Sequence, residues 1–122
     1  MAAQFLEGKP VAESVLAEVQ IRTAELARKG VIPGLGTILV GDDGASAGYV
    51  ARKHETCETV GIRSYHIDVT ADQTQADLLA AVDSFNSNAE VDAYLIQHPL
   101  PDGFDFNEAL ERMHPNKDAD GL

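Results

Sequence analysis

Apolar positions along the chain follow two alternating patterns, and together they predict a βα repeat. From Val11 to Lys29, Val11, Val15, Val19 and Leu26 fall with Arg22 on three- and four-residue steps, and Ala12, Leu16 and Ala27 widen the stripe. That spacing predicts a helix, which Lys29-Gly30 closes with a basic last turn and a glycine stop. After a Pro33-Gly34 turn, Thr37-Ile38-Leu39-Val40 is a short continuous apolar run, as expected of a strand covered on both faces. Gly41-Asp42-Asp43-Gly44 breaks it, and a second helix is predicted from about Ser46 to Val60, stopped by Gly61.

Tyr65, Ile67 and Val69 alternate over Ser64 to Val69, the period of a strand. Thr74 and Asp77 have capping-box spacing ahead of a third helix with Leu78, Leu79, Val82 and Phe85 on its apolar face. Ala93-Tyr94-Leu95-Ile96 is a further buried strand, ended by His98-Pro99-Leu100-Pro101 because proline removes donors and fixes φ. Asp105 to Met113 is a short last helix, with Asp105 and Glu108 placed to cap it, and Pro115 to Leu122 is a polar tail. Strands and helices in alternation at these lengths imply βαβ crossovers: a three-layer α/β/α domain with a mainly parallel sheet. Ligands of such sheets sit beyond the carboxyl ends of the strands, which selects Gly41 to Ser46 and Gln97 to Pro101 as the working rim.

Composition narrows the class. The 122 residues are 44% hydrophobic, enough for one core and one domain, with only 6% aromatic, so aliphatic side chains must do the packing. A net charge of −11 argues against nucleic acid or an anionic membrane surface as partner. No secretory signal or membrane-length apolar run is visible, and the single Cys57 suits a reducing compartment, so the expectation is a cytoplasmic protein.

Three groups of residues carry candidate chemistry. Tyr49 and Lys53 are four apart on the second helix and share a face near the rim, with Ser46 one turn earlier. A partly desolvated amine beside a phenol can exchange protons near neutrality; the plainer reading is a surface Tyr–Lys pair. Gln97 ends a buried strand, where an unpaired amide costs about 1–3 kcal/mol, so it can be expected to hold an amine or a water, or merely to cap the strand. Asp118-Ala119-Asp120-Gly121 offers two carboxylates before a glycine, for an amidine-like ligand edge or simply as an acidic tail. Histidines 54, 66, 98 and 114 are scattered and no metal site is expected. Cys57 is expected to pack, not to react, and neither a P-loop nor a dinucleotide glycine fingerprint occurs, since Gly34 and Gly36 precede a strand.

Taken together, these segments resemble the N-terminal catalytic domain of bifunctional methylenetetrahydrofolate dehydrogenase/methenyltetrahydrofolate cyclohydrolases. Gly41-Asp42-Asp43 through Ser46, Tyr49 and Lys53 to Cys57-Glu58 and Val60-Gly61-Ile62 is similar to the signature VGDxxxSxxYVxxKxxxCExVGI. Gln97-His98-Pro99-Leu100-Pro101 is similar to QLPLP, and Pro115 to Gly121 to PxKDVDG. The resemblance spans nearly the whole chain, including Leu6-Glu7-Gly8-Lys9. It implies Lys53 as general acid/base, with Gln97 holding it and Tyr49 packing on the folate ring system as the other catalytic-site members. Ser46 would support the lysine, Asp120 would pair with the pterin's aminopyrimidine edge, and Pro99 and Leu100 would line the same pocket.

It further implies a tetrahydrofolate substrate, a homodimer, and one-carbon metabolism feeding purine biosynthesis. NADP would be the cofactor, bound by a Rossmann domain expected beyond Leu122, without which hydride transfer is not expected. Arg52 or Arg63 is expected to meet the folate's glutamate tail. His98 stands where the family has leucine and is expected to put a polar ring into the pocket wall. Two alternatives belong to other classes. One is a non-catalytic binding or dimerising fragment. The other is a phosphoaccepting receiver domain, suggested by Asp42-Asp43 but lacking an acceptor aspartate at Gln97-His98-Pro99.

Overall fold

A computed structural model describes residues 2–122. Four α-helices and three strands alternate: α1 (Gly8–Arg28), β1 (Gly34–Val40), α2 (Gly44–Val60), β2 (Arg63–Val69), α3 (Gln75–Ser87), β3 (Ala93–Ile96) and α4 (Phe106–Arg112), followed by a 3₁₀ turn at Pro115–Lys117. The sheet is parallel throughout, in the order β2-β1-β3. From β1 the chain steps to one edge through α2, then back across to the other edge through α3. Two crossovers of the same, right-handed sense running in opposite directions place their helices on opposite faces. The three-layer expectation holds.

Side-chain parity along β1 divides the two faces. Gly36, Ile38 and Val40 turn toward α3, as do their partners Tyr65, Ile67 and Val69 on β2 and Tyr94 and Ile96 on β3. With Leu78, Val82, Phe85, Ala109 and Met113 they make the buried aliphatic core. Leu35, Thr37 and Leu39 turn the other way, toward α2.

Local chemistry explains most boundaries. Asp43 caps α2 by accepting the Ser46 backbone N–H at 2.9 Å, and Gly61 ends that helix at φ 86°. Thr74 and Asp77 form the expected capping box at α3, and Asp105 caps α4 through the Glu108 N–H.

Two expectations need correcting. Gly34 and Gly36 lie inside β1 and not ahead of it. A Cβ on Gly36 would stand 2.9 Å from both Phe85 and Tyr94, so glycine here lets the strand run directly beneath the core aromatics. The apolar stripe on α1 is also not buried. Val11, Val15 and Leu26 are exposed, as are Phe5 and Leu6, and Thr23 alone on this helix is buried, its hydroxyl donating toward the carbonyl of Val60. Only the side of α1 nearest α2 finds partners among the described residues.

Candidate functional site

The working rim forms where parity and turn chemistry meet. On α2, residues 49, 52, 53, 56, 57 and 60 share one face, and that face floors a cavity of about 500 Å³. Leu16 and Val19 of α1, Leu35 of β1, Leu95 of β3 and Ile62, in the turn before β2, wall its apolar part. Tyr49, Arg52, Lys53 and Asp120 supply its polar groups.

Lys53 Nζ donates to Gln97 Oε1 at 2.7 Å. Gln97 follows Leu95 by two residues on the same side of β3 and is tied to β1 through its backbone N–H to the Ile38 carbonyl at 2.9 Å. Its Nε2 donates to the His98 carbonyl at 3.3 Å, so the amide oxygen is the atom left to face the amine. The Tyr49 ring centroid is 6.0 Å from Nζ, at the outer limit of a cation–π contact, and the ring is half exposed over the cavity. Lysine, phenol and amide are therefore brought together, as expected.

Asp120 reaches this site by a route the composition of the tail did not suggest. Lys117 Nζ plugs the end of α3, donating to the carbonyls of Phe85 and Asn88 at 2.9 Å each. Asp118 then forms a parallel bridge with Tyr94, and the Ala119 N–H donates to the Tyr94 carbonyl at 3.2 Å. The segment runs along the free edge of β3 and delivers Ala119 and Asp120 to the cavity wall, while the Gly121 N–H closes on Asp118 Oδ1 at 2.9 Å. What the sequence presents as an acidic tail is a docked edge.

Other expected members lie elsewhere. Ser46 is buried behind the rim and makes no hydrogen bond to Lys53 or Tyr49 among the described residues; its contact is with Asp43, whose carboxyl is held below the usual range by hydrogen bonds from Ser46. Pro99 and Leu100 line a separate depression with Val40, Asp42, Asp43 and Pro101, and do not border the lysine cavity. His98 corrects an expectation: it is exposed and packs on Phe106, ring centroids 5.0 Å apart, outside the cavity wall. Of the two arginines, Arg52 borders the cavity, whereas Arg63 sits with Glu90 and Asp92 at the opposite end of the strands. Cys57 is buried, and burial pushes its thiol up, which suits packing.

Sequence reasoning missed the contribution of α1 and the grouping of two histidines. Thr37 Oγ1 lies 3.1 Å from His54 Nε2 and 2.7 Å from His66 Nδ1, and His66 Nε2 is 2.7 Å from Asp68 Oδ1. The alternation that puts Tyr65, Ile67 and Val69 on the core side puts His66 and Asp68 on the α2 side of the sheet, Asp68 still open to solvent, so the signal was present in the strand period. Among the described residues no group of three or more His, Cys, Asp or Glu could hold a metal, and no helix is long and apolar enough to cross a membrane.

Comparison with known proteins shows the family and the fold. The family model for the tetrahydrofolate dehydrogenase/cyclohydrolase catalytic domain matches residues 6–120. A bifunctional protein FolD from Syntrophotalea carbinolica is 63% identical over 122 residues, covering all of this chain and 42% of that protein. The crystal structure of the Campylobacter jejuni FolD enzyme superposes with a TM-score of 0.94 at 36% identity, over 98% of this chain and 43% of that one. The Trypanosoma brucei FolD enzyme, complexed with NADP cofactor and inhibitor, gives a TM-score of 0.93 at 33% identity, over 98% and 41%. The chain thus spans about two fifths of the length of these relatives. With a family-model match from residue 6 to residue 120 and the fold of the solved relatives, the chain belongs to the tetrahydrofolate dehydrogenase/cyclohydrolase catalytic-domain family.

Proposed function

We propose that this chain is the folate-binding catalytic part of an enzyme that interconverts methylene-, methenyl- and 10-formyl-tetrahydrofolate, with Lys53 as general acid/base. The observation that carries this reading is the 2.7 Å hydrogen bond from Lys53 Nζ to Gln97 Oε1, formed at a cavity that Tyr49 and Asp120 also line. Gln97 accepts one N–H and leaves the rest of the amine free to turn toward a bound ring. The methenyl bridge is cationic, so Lys53 serves it as a neutral amine. It takes a proton from the water that attacks the bridge carbon and returns it to the ring nitrogen as the carbon–nitrogen bond opens, while the hydroxyl left on that carbon gives up its own proton to solvent as the formyl carbonyl forms.

The remaining groups bind and orient. Tyr49 stacks on the heterocycle, Asp120 accepts from its aminopyrimidine edge, and Ser46 acts indirectly by seating the first turn of α2. Pro99 and Leu100 form an outer wall that a ligand reaches by extending past Gln97. Arg52 is the cation placed to meet a glutamate tail.

Residues of this chain do not fit NADP. The one strand-to-helix turn beyond β1 carries Asp42 and Asp43, which repel a pyrophosphate, and Asp43 already caps α2. No hydride step is derived through these residues. NADP dependence belongs to a longer protein with a Rossmann domain, as do a homodimeric state, a cytoplasmic location and a place in one-carbon metabolism and purine biosynthesis. The NADP complex of the trypanosomal relative supports the first of these.

The test is Lys53→Met in the full-length protein. Loss of methenyl-tetrahydrofolate hydrolysis with an unchanged melting temperature is the expected result; hydrolysis at the parental rate would overturn the assignment. Asp120→Ala should weaken folate binding with little change in stability, and unchanged affinity would remove the pterin contact.

A further inference from the structure

The polar group beneath α2 has a hydrogen-bond arithmetic that admits few solutions. The Asp68 carboxylate only accepts, so the Nε2 of His66 that faces it at 2.7 Å carries a hydrogen. Nδ1 of the same ring is then bare, and the Thr37 hydroxyl donates to it at 2.7 Å. That uses the hydroxyl's single proton. His54 Nε2, 3.1 Å from the same oxygen, must therefore be the donor of the third bond. Both rings are held as Nε2–H tautomers, and the bonds run from His54 through Thr37 and His66 to Asp68.

We propose that Thr37, His54, His66 and Asp68 form a one-proton relay that clamps α2 to the sheet, reversing its hydrogen bonds on taking up one proton and leaving the buried Thr37 hydroxyl without an acceptor only at the second. The first proton goes to Nδ1 of His66, the ring whose other nitrogen already faces a carboxylate. Nδ1–H now donates to Thr37 Oγ1, the hydroxyl turns to donate to His54 Nε2, and His54 gives up its Nε2 hydrogen and carries one on Nδ1 instead. The net change is one added proton, and all three bonds survive. A second proton restores Nε2–H on His54; both rings then donate to the buried Thr37 oxygen, whose own hydrogen loses its acceptor, between two cationic rings whose centroids are 5.3 Å apart. Burial, and then the charge of His66, hold His54 below the usual imidazole range and resist that step.

The charged surroundings are sparse. From β2 come His66 and Asp68, and the charge of His66 is the one that acts on His54; β1 brings the Thr37 hydroxyl; α1 meets α2 through Thr23 at Val60, where Glu58 also lies. Since Lys53 precedes His54 on the same helix, the relay keeps the amine's seat unchanged through the first protonation.

Long-range ¹H–¹⁵N spectra of the imidazole nitrogens, recorded from alkaline to mildly acidic pH, decide the matter. In the parent chain both rings should begin as Nε2–H tautomers, and His54 should pass to Nδ1–H with the same midpoint at which His66 becomes doubly protonated. Thr37→Val should uncouple the two, and Thr37→Ser should restore the coupling. A His54 ring that stays Nε2–H while His66 titrates overturns the relay, as does coupling that persists in Thr37→Val. Should Thr37→Val not fold, the tautomer record of the parent chain decides alone.

Discussion

The two faces of this sheet are built from the same three strands and behave as different materials. Toward α3, every inward side chain is apolar or a satisfied tyrosine. The Tyr94 hydroxyl donates toward Asn86 Oδ1 at 2.7 Å, and burial, then the charges of Asp83 and Asp118, push that phenol up to about 12. Toward α2, the same strands present Thr37, His66 and Asp68, with Gln97 following β3, and α2 answers with Lys53 and His54. One face is closed and apolar; the other keeps polar groups in hydrogen-bonded pairs beside an open cavity. The difference shows how a small domain carries a polar cavity: it changes the residue type at alternate positions and leaves the backbone alone.

The sharpest way to break this division is Leu78→Ala. Leu78 is fully buried on the α3 side, and its truncation should cost about 2–5 kcal/mol in urea unfolding while folate affinity of the folded protein is retained. Gly36→Ala comes next. Its Cβ would crowd Phe85 and Tyr94 at 2.9 Å, and a loss of about 1–3 kcal/mol is expected in the same measurement. A smaller loss, about 1 kcal/mol, should follow Thr74→Ala, which removes the capping box of α3 without touching either face.

Acid should separate the faces as well. Because His54 is held below its ordinary value near 6.5, the native state binds fewer protons there than the unfolded chain does. Its contribution is complete above that value and is lost as pH falls from it toward the lowered folded value. Urea midpoints measured across this window should drop on acidification, with a shallower drop in His54→Gln. The smallest stability effect belongs to Lys53→Met. A partly buried amine that gives up one hydrogen bond to a partly exposed Gln97, whose oxygen water can then reach, should change unfolding free energy by no more than about 0.5 kcal/mol. A larger loss would mean that the lysine is structural and would blur the contrast between the faces.

Much of this was legible from the chain alone because it is local. The stop at Gly61, the capping box at Thr74 and Asp77, the strand at Ala93 to Ile96 and the cap at Asp105 all depend on residues within a turn or two. Lys53 and Tyr49 were identifiable as a pair because a helix period puts them on one face. Gln97 was identifiable because an amide ending a buried strand needs a partner. The edge docking of Asp118 was not legible, since it depends on where Lys117 finds the end of α3, 29 residues away from Asn88. The separation of Pro99 and Leu100 from the lysine cavity, and of Arg52 from Arg63, likewise turns on which side of the sheet each loop leaves.

Residue order by itself determined the alternation of elements and the types of group available, since propensity, capping and period act over a few residues, but the cavity runs along α2 and not over the expected rim at Gly41 to Ser46 and Gln97 to Pro101. The tertiary structure decided which of those groups meet. It brought His54 and His66 onto the same threonine, carried Asp120 along the open edge of β3 to the cavity that Lys53 also lines, and left most of the apolar stripe on α1 in water. Such outcomes depend on crossover direction and strand order, which place residues far apart in the chain at contact distance and which no short window of sequence contains.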